Sequence, residues 1–277
     1  MPKQLGLLLV LALGAFSSSL AQTTTTKPKK AEQDAANTAK AAESRTADAL
    51  RAYTPTNTGS DSGGEERNYY TFNHRYNGMS GTPFLVAGWR KGEVHLDHNQ
   101  VVRNVSLKYD LYRHGLLALQ PNGDSIIVGL DRVQEFVIHD THVTNAGSFV
   151  EDHRFRRYAD APEAKFSREH FEVLSEGSYA TLLKLTRKEL QRANQESAYG
   201  STQVQDVMLD KAEYFVRNAD GHIRAFKLNR KALVAALPEH AAEVQEAMTK
   251  YGQPVQKEAD VIRVVAILNS TAPAGSK

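Results

Sequence analysis

Two short words in the chain, HLDH at residues 95–98 and HDTH at residues 139–142, each set two histidines three residues apart around an aspartate. Imidazole nitrogens and carboxylate oxygens are the ligands of zinc and related ions, and they are also general acid–base partners. His95, His98, His139 and His142 are therefore the candidate metal ligands, and a His/Asp pairing is the one hint of hydrolytic chemistry. A metal centre needs three or four such groups converging on one point. Residues at i and i+3 share a face of a helix but point to opposite faces of a strand. HDTH follows VQEFVI, where Phe136 and Ile138 alternate with Glu135, Val137 and His139. If that strand runs on through Asp140, His139 and His142 face apart; if it breaks there, they can converge. In HLDH, His95 ends a strand beside Val94 and Leu96, and Asp97, His98, Asn99 and Gln100 have turn composition. The pattern favours strand-face and turn histidines over a metal site, and no cofactor is implied.

A second word, HRFRRYAD at residues 153–160, interleaves Arg154, Arg156 and Arg157 with Phe155 and Tyr158. Guanidinium groups so placed could grip an anionic glycan, a lipid head group or a protein partner. The blander alternative is a solvated strand face with one aromatic packed inward. Trp89, the only tryptophan, precedes the turn RKG and is either a core or rim anchor or part of the same binding surface. The chain has no G-x-S-x-G elbow, no S-x-x-K word and no P-loop or dinucleotide fingerprint. Paired carboxylates for glycoside hydrolysis meet only in a fold, so they stay open. No residue is assigned a catalytic role. The absence of cysteine excludes thiol nucleophiles, Cys-based zinc sites and disulfides. With 34 Lys and Arg against 32 Asp and Glu among 277 residues, the charge is too balanced for a nucleic-acid binder.

The elements that must position these residues are mostly strands. In VSLKYDL, Val105, Leu107, Tyr109 and Leu111 alternate with Asn104, Ser106, Lys108 and Asp110, giving one buried and one wet face. The turn words RKG, RHG, PNGD and NADG separate FLVAGW, EVHL, LLALQ, SIIVGL, VQEFVIH, AEYFVR and HIRAFKL. Such short connections predict an antiparallel meander, as a curved sheet or sandwich-like, because parallel crossovers need longer links. The charged stretch HRFRRYADAPEAKF reads as a surface excursion, and TRKE at residues 186–189 is either a capping box or a polar strand end. Toward the C-terminus, Asn229 caps a helix and Pro238 opens a second one carrying Ala241, Val244, Met248 and Tyr251 on one stripe. Gly252 and Pro254 stop it. In EADVIRVVAILN, Val261, Val264, Val265 and Leu268 have helical spacing, although the β-branched content also suits a strand. The class is α+β, with two or three C-terminal helices packed on the sheet.

Residues 1–21 have the form of a secretory signal peptide: Lys3, an apolar run from Leu5 to Phe16, then Ser19-Leu20-Ala21 before Gln22. Residues 22–67 read as a disordered arm, holding an exposed Ala-rich helix near residues 31–53 and a Gly/Ser/Thr-rich linker at residues 54–67. The β-rich domain with its helices is expected over residues 68–270 and a disordered tail over residues 271–277.

The succession GWRKGEVHLDHNQVVRNVSLKYDLY, GLLALQPNGDSIIVGLDRVQEFVI and EYFVRNADGHIRAFKLNRKALVAALPEH resembles a group of exported, β-rich proteins of unassigned function from Bacteroidota-type bacteria. The likeness spans roughly residues 81–269 and rests on turns and core alternation. It implies a periplasmic or envelope location and no site residues. The expected function is an exported, non-catalytic envelope module that is structural or binds another envelope protein, a glycan or a lipid, with no nucleic-acid partner and no transmembrane span in the mature chain. The alternatives are a carrier of an apolar ligand in a curved sheet and a hydrolase with a His/Asp site.

Overall fold

The computed structural model describes residues 33–34, 37–38, 49–50, 79–193 and 205–272. The signal-like segment, the linker and the end of the tail lie outside these residues. The chain divides into two units, residues 1–39 and 40–277. In the first, Gln33, Asp34, Asn37 and Thr38 are helical and exposed.

The second unit is α+β, built on one sheet of eleven strands that does not close. In chain order they are β1 (Met79–Ser80), β2 (Arg90–Leu96), β3 (Val101–Asp110), β4 (Gly115–Leu119), β5 (Ser125–Val128), β6 (Val133–Thr144), β7 (Gly147–Arg157), β8 (His170–Ser175), β9 (Ala180–Gln191), β10 (Asp206–Asn218) and β11 (Ile223–Phe226). Three helices follow: α1 (Arg230–Ala236), α2 (Ala241–Tyr251) and α3 (Glu258–Ser270). The strand order is β1-β10-β9-β8-β7-β6-β2-β3-β4-β5, and β11 shares the edge of β10 with β1. β1 pairs parallel to β10, so the sheet is mixed, which corrects the expectation of a purely antiparallel one. The reason is local: a two-residue strand carries no alternation to read, and it lies ahead of the first periodic stretch.

Residue chemistry accounts for the elements. The alternation in β3 buries Val105, Leu107 and Tyr109 as its period requires. The PNGD turn closes through Gln120 N–H to the Asp124 carbonyl, with Gly123 at φ 89°. TRKE forms no helix cap: it lies inside β9, where Lys188 pairs with Asp210 of β10. The Asn229 side chain accepts from the Ala232 N–H at the start of α1, and Gly252 ends α2 in the left-handed region at φ 69°. The β-branched run of α3 is helical, and Val261, Val264, Val265 and Leu268 form its buried stripe.

Three apolar clusters hold the unit together. The first gathers Val94, Leu107, Tyr109, Leu116, Phe136 and Phe155 from β2 to β7, and Leu50 is fully buried in it. That leucine comes from the segment expected to be an exposed arm. The second joins Leu182, Val216 and Phe226 of the sheet to all three helices. The third sits on the opposite sheet face, where Phe171, Leu183 and Phe215 meet Tyr158, Ala161 and Phe166. The stretch expected to be a surface excursion is therefore strand as far as Arg157, followed by a loop that inserts three side chains into this cluster.

Tyr109 of β3 meets Phe155 of β7 edge-on at 5.0 Å between ring centroids. Two strands intervene, and a flat sheet would hold these positions about 14 Å apart. The Lys188 N–H of β9 also donates to the Leu111 carbonyl just past β3. The sheet thus bends around the face that carries the first two clusters. Among the described residues, no helix is long and apolar enough to cross a membrane.

Candidate functional site

The strand that carries HDTH does not break at Asp140. β6 continues to Thr144, so His139 and His142 lie on opposite faces. His139 Nδ1 sits 2.7 Å from Asp152 Oδ1 across the hairpin. His142 Nε2 lies 3.2 Å from Glu151 Oε2 and 3.5 Å from Asp140 Oδ2 and makes no hydrogen bond to either. The His142 ring stacks on Phe149 at 4.9 Å. His95 is the penultimate residue of β2, 3.6 Å from Glu93, and is paired in register with Glu135, four residues short of His139. That step is about 13 Å along the strand. His98 lies in the turn after β2 with φ 59°. No group of three or more His, Asp and Glu among the described residues is placed to hold a metal ion. The shared spelling of the two words corresponds to two unrelated local geometries.

The arginines of HRFRRYAD are already engaged. Arg156 donates to Glu135 at 2.6 Å and to Glu176 at 2.5 Å, and Arg154 stands 3.7 Å from each of the same two carboxylates. Arg157 donates to the Asp131 carbonyl. Between them, Phe155 points into the first core. Trp89 is half-buried at the start of β2, where the Lys108 ammonium lies 5.7 Å from its ring and 4.1 Å from that of Phe84.

Two features that the motifs did not reveal stand out. The first is a ribbon. β2 pairs with β6 only as far as Ile138, and β8 pairs with β7 only from Phe155 onward. Residues 139–144 and 147–152 pair with each other and, among the described residues, with no third strand. They form a two-stranded projection about 20 Å long with two open edges. It carries the most exposed of the large apolar side chains among the described residues: Val143 is 83 % exposed, Val150 58 % and Phe149 55 %. Thr144 Oγ1 fastens the turn by donating to the Gly147 carbonyl. The signal for this was present in the sequence, since VTNAGSFV places apolar residues on both phases beside a turn, which a one-sided sheet does not need.

The second feature is a pocket of about 530 Å³ on the concave face, between the first and second apolar clusters. Its floor is β7 to β10, with α3 on one side and Leu85 and Leu111 on the other. Register aligns Glu172, Lys184 and Tyr214 as one rung. Lys184 Nζ lies 2.9 Å from Glu258 Oε2 and 4.0 Å from Glu172 Oε2. Tyr214 donates to Glu258 at 2.6 Å, and His153 Nδ1 meets Glu172 Oε1 at 2.7 Å. Two rungs away, past Thr186 and Ala212, Lys188 pairs with Asp210 at 2.5 Å. The hydrogen bond to Glu172 holds the His153 pKa above its usual value against the opposing pull of burial. Burial pushes Glu258 up, but Lys184 and Tyr214 outweigh it and its pKa is lowered. Tyr214 is raised by burial and by the Glu258 carboxylate.

His170 belongs to neither feature. It is buried beside Phe136, its Nε2 donates to the Val133 carbonyl, and burial lowers its pKa to about 4. No family model, curated protein or solved structure matches the chain.

Proposed function

We propose that the chain is an exported, non-catalytic cell-envelope module that binds a protein partner through the β6–β7 ribbon. The observation that carries this reading is the ribbon's pair of open edges together with exposed Val143, Phe149 and Val150. A two-stranded projection gains little stability from its own pairing. An open edge with apolar side chains at its end is the geometry for strand addition, in which main-chain hydrogen bonds supply affinity and alternate side chains supply specificity. In this reading the scaffold is a curved, antiparallel meander that holds the ribbon at its base, and Arg154, Arg156, Glu135 and Glu176 brace that base. The signal-like residues 1–21 support export.

The test is site-specific photo-crosslinking in the producing cell, with the probe at position 149 and a control probe at exposed Asn122. The partner identified is then titrated, as purified protein, against the chain and its Phe149→Ser/Val150→Ser variant. The expected result is one partner captured from position 149 only, with affinity falling at least tenfold in the variant. Equal capture from both positions, or equal affinity of the variant, would overturn the proposal. Export is checked by N-terminal sequencing of the mature protein: a start at Gln22 supports it and an intact Met1 refutes it. The apolar-carrier alternative draws no support from the pocket, whose floor is charged. The one observation favouring a hydrolase is the His153–Glu172 pair within that pocket.

A further inference from the structure

The pocket of about 530 Å³ on the concave face goes beyond partner binding, and its charges restrict what it can hold. On the inner rungs of the floor, each ionisable side chain has an oppositely charged or hydrogen-bonding neighbour. Glu172 has His153 and Lys184; Glu258 has Lys184 and Tyr214; Asp210 has Lys188. At the ribbon's base, Asp152 is hydrogen-bonded with His139, while Glu151 is largely exposed to solvent. An anion would meet five carboxylates against two lysines in this lining, and a cation would have to displace Lys184 or Lys188 from the carboxylates they hold, leaving a half-buried ammonium without its partner. A neutral ligand faces neither cost.

The pairs are nevertheless not saturated. A carboxylate offers about four acceptor positions and an ammonium three donors, and each pair uses only some of them. The spare positions favour a ligand with several hydroxyl groups, each of which donates and accepts, through charge-assisted hydrogen bonds. Leu85, Leu111, Leu174, Ala212 and Ile262 supply apolar wall between the charges, suited to the C–H faces of a ring. The volume lies within the roughly 300–1,000 Å³ of small-molecule sites. We propose that this pocket binds a small, neutral, polyhydroxylated ligand, of the size of a mono- or disaccharide unit, on the rungs formed by Glu172, Lys184, Tyr214, Lys188 and Asp210.

The test is calorimetric titration of the full chain with four probe sets: neutral mono- and disaccharides, the polycation spermidine, the dianion succinate, and palmitate. Binding confined to the neutral sugars is the expected result. Lys184→Met strips Glu258 and Glu172 of their shared cation. It is expected to weaken sugar binding at least tenfold and to make spermidine binding measurable, a switch that simple loss of packing would not produce. Should that variant fail to fold, Lys188→Met, at the edge of the same floor, is read for the same switch. Succinate, spermidine or palmitate binding to the unaltered chain in place of sugars would overturn the ligand class. Failure of every probe to bind, or a variant that loses sugar without gaining spermidine, would overturn the proposal as well.

Discussion

The histidines differ more in surroundings than in spelling, and two of them contribute to the pH response of the fold in opposite directions. His170 is neutral in its buried site, with its pKa lowered to about 4 by burial, whereas an unfolded histidine titrates near 6.5. Between those values the unfolded chain binds a proton that the native chain refuses, so stability falls as pH drops from about 6.5 toward 4. The gap corresponds to roughly 3 kcal/mol. His153 works in the other direction. Its pKa is raised by the hydrogen bond it donates to Glu172, so its contribution is complete below about pH 6.5 and is lost as pH climbs through its raised value. Together the two residues place a stability maximum near pH 6.5. Urea unfolding measured from pH 4 to pH 8 checks this: His170→Gln is expected to flatten the acid limb and His153→Gln the alkaline one. An unchanged acid limb in the first variant would show that His170 is not held neutral by burial.

At the scale of elements, the hydrophobic alternation of β3, the caps of α1 and α2 and the buried stripe of α3 were legible because each is a local pattern. What the sequence could not display was how far each strand is flanked. β6 and β7 are written as ordinary strands, and only the registers of β2 and β8 show that their distal halves stand alone. The pocket was illegible for the same reason: Glu172, Lys184, Tyr214 and Glu258 come from four elements spread between positions 172 and 258 and sit in no common word. One long-range clip was equally silent. Asn269 near the end of α3 accepts from the N–H groups of Tyr179 and Ala180 and donates to the Ala180 carbonyl, fixing α3 to the start of β9. Gly177 leaves room for that side chain; a methyl group there would run into it. Asn269→Ala orphans three half-buried backbone groups, and an expected loss of about 2–3 kcal/mol follows from the cost of unmade hydrogen bonds. Asn269→Asp keeps the acceptor for the two N–H groups and is expected to lose less. Thermal denaturation of the two variants side by side measures the difference, and equal losses would mean that the clip contributes nothing beyond packing.

For the whole molecule, the boundary between arm and folded unit is where composition misled. Alanine and charge dominate residues 31–53, and such a stretch offers little to bury. A single large apolar side chain is enough to change that, and Leu50 is fully buried against the first cluster beside half-buried Ala49. Composition averages over a window, while a core is filled one side chain at a time, so a lone leucine in a polar helix is nearly invisible to the first and decisive for the second. The consequence is measurable. A chain starting at Asn68, where the flexible composition ends, would leave the Leu50 site of the first core empty. Leu→Ala cavities in well-packed cores cost about 2.7–5 kcal/mol. For a chain of this size that corresponds to a fall in melting temperature of roughly 5–15 °C. Leu50→Ala in the full chain is expected to reproduce most of that fall, whereas Gln33→Ala, at an exposed helical position of the other unit, is expected to leave the melting temperature unchanged. A chain from Asn68 that melts with the full-length protein would place the folding boundary where the composition suggests, and would make Leu50 a passenger on a core that closes without it.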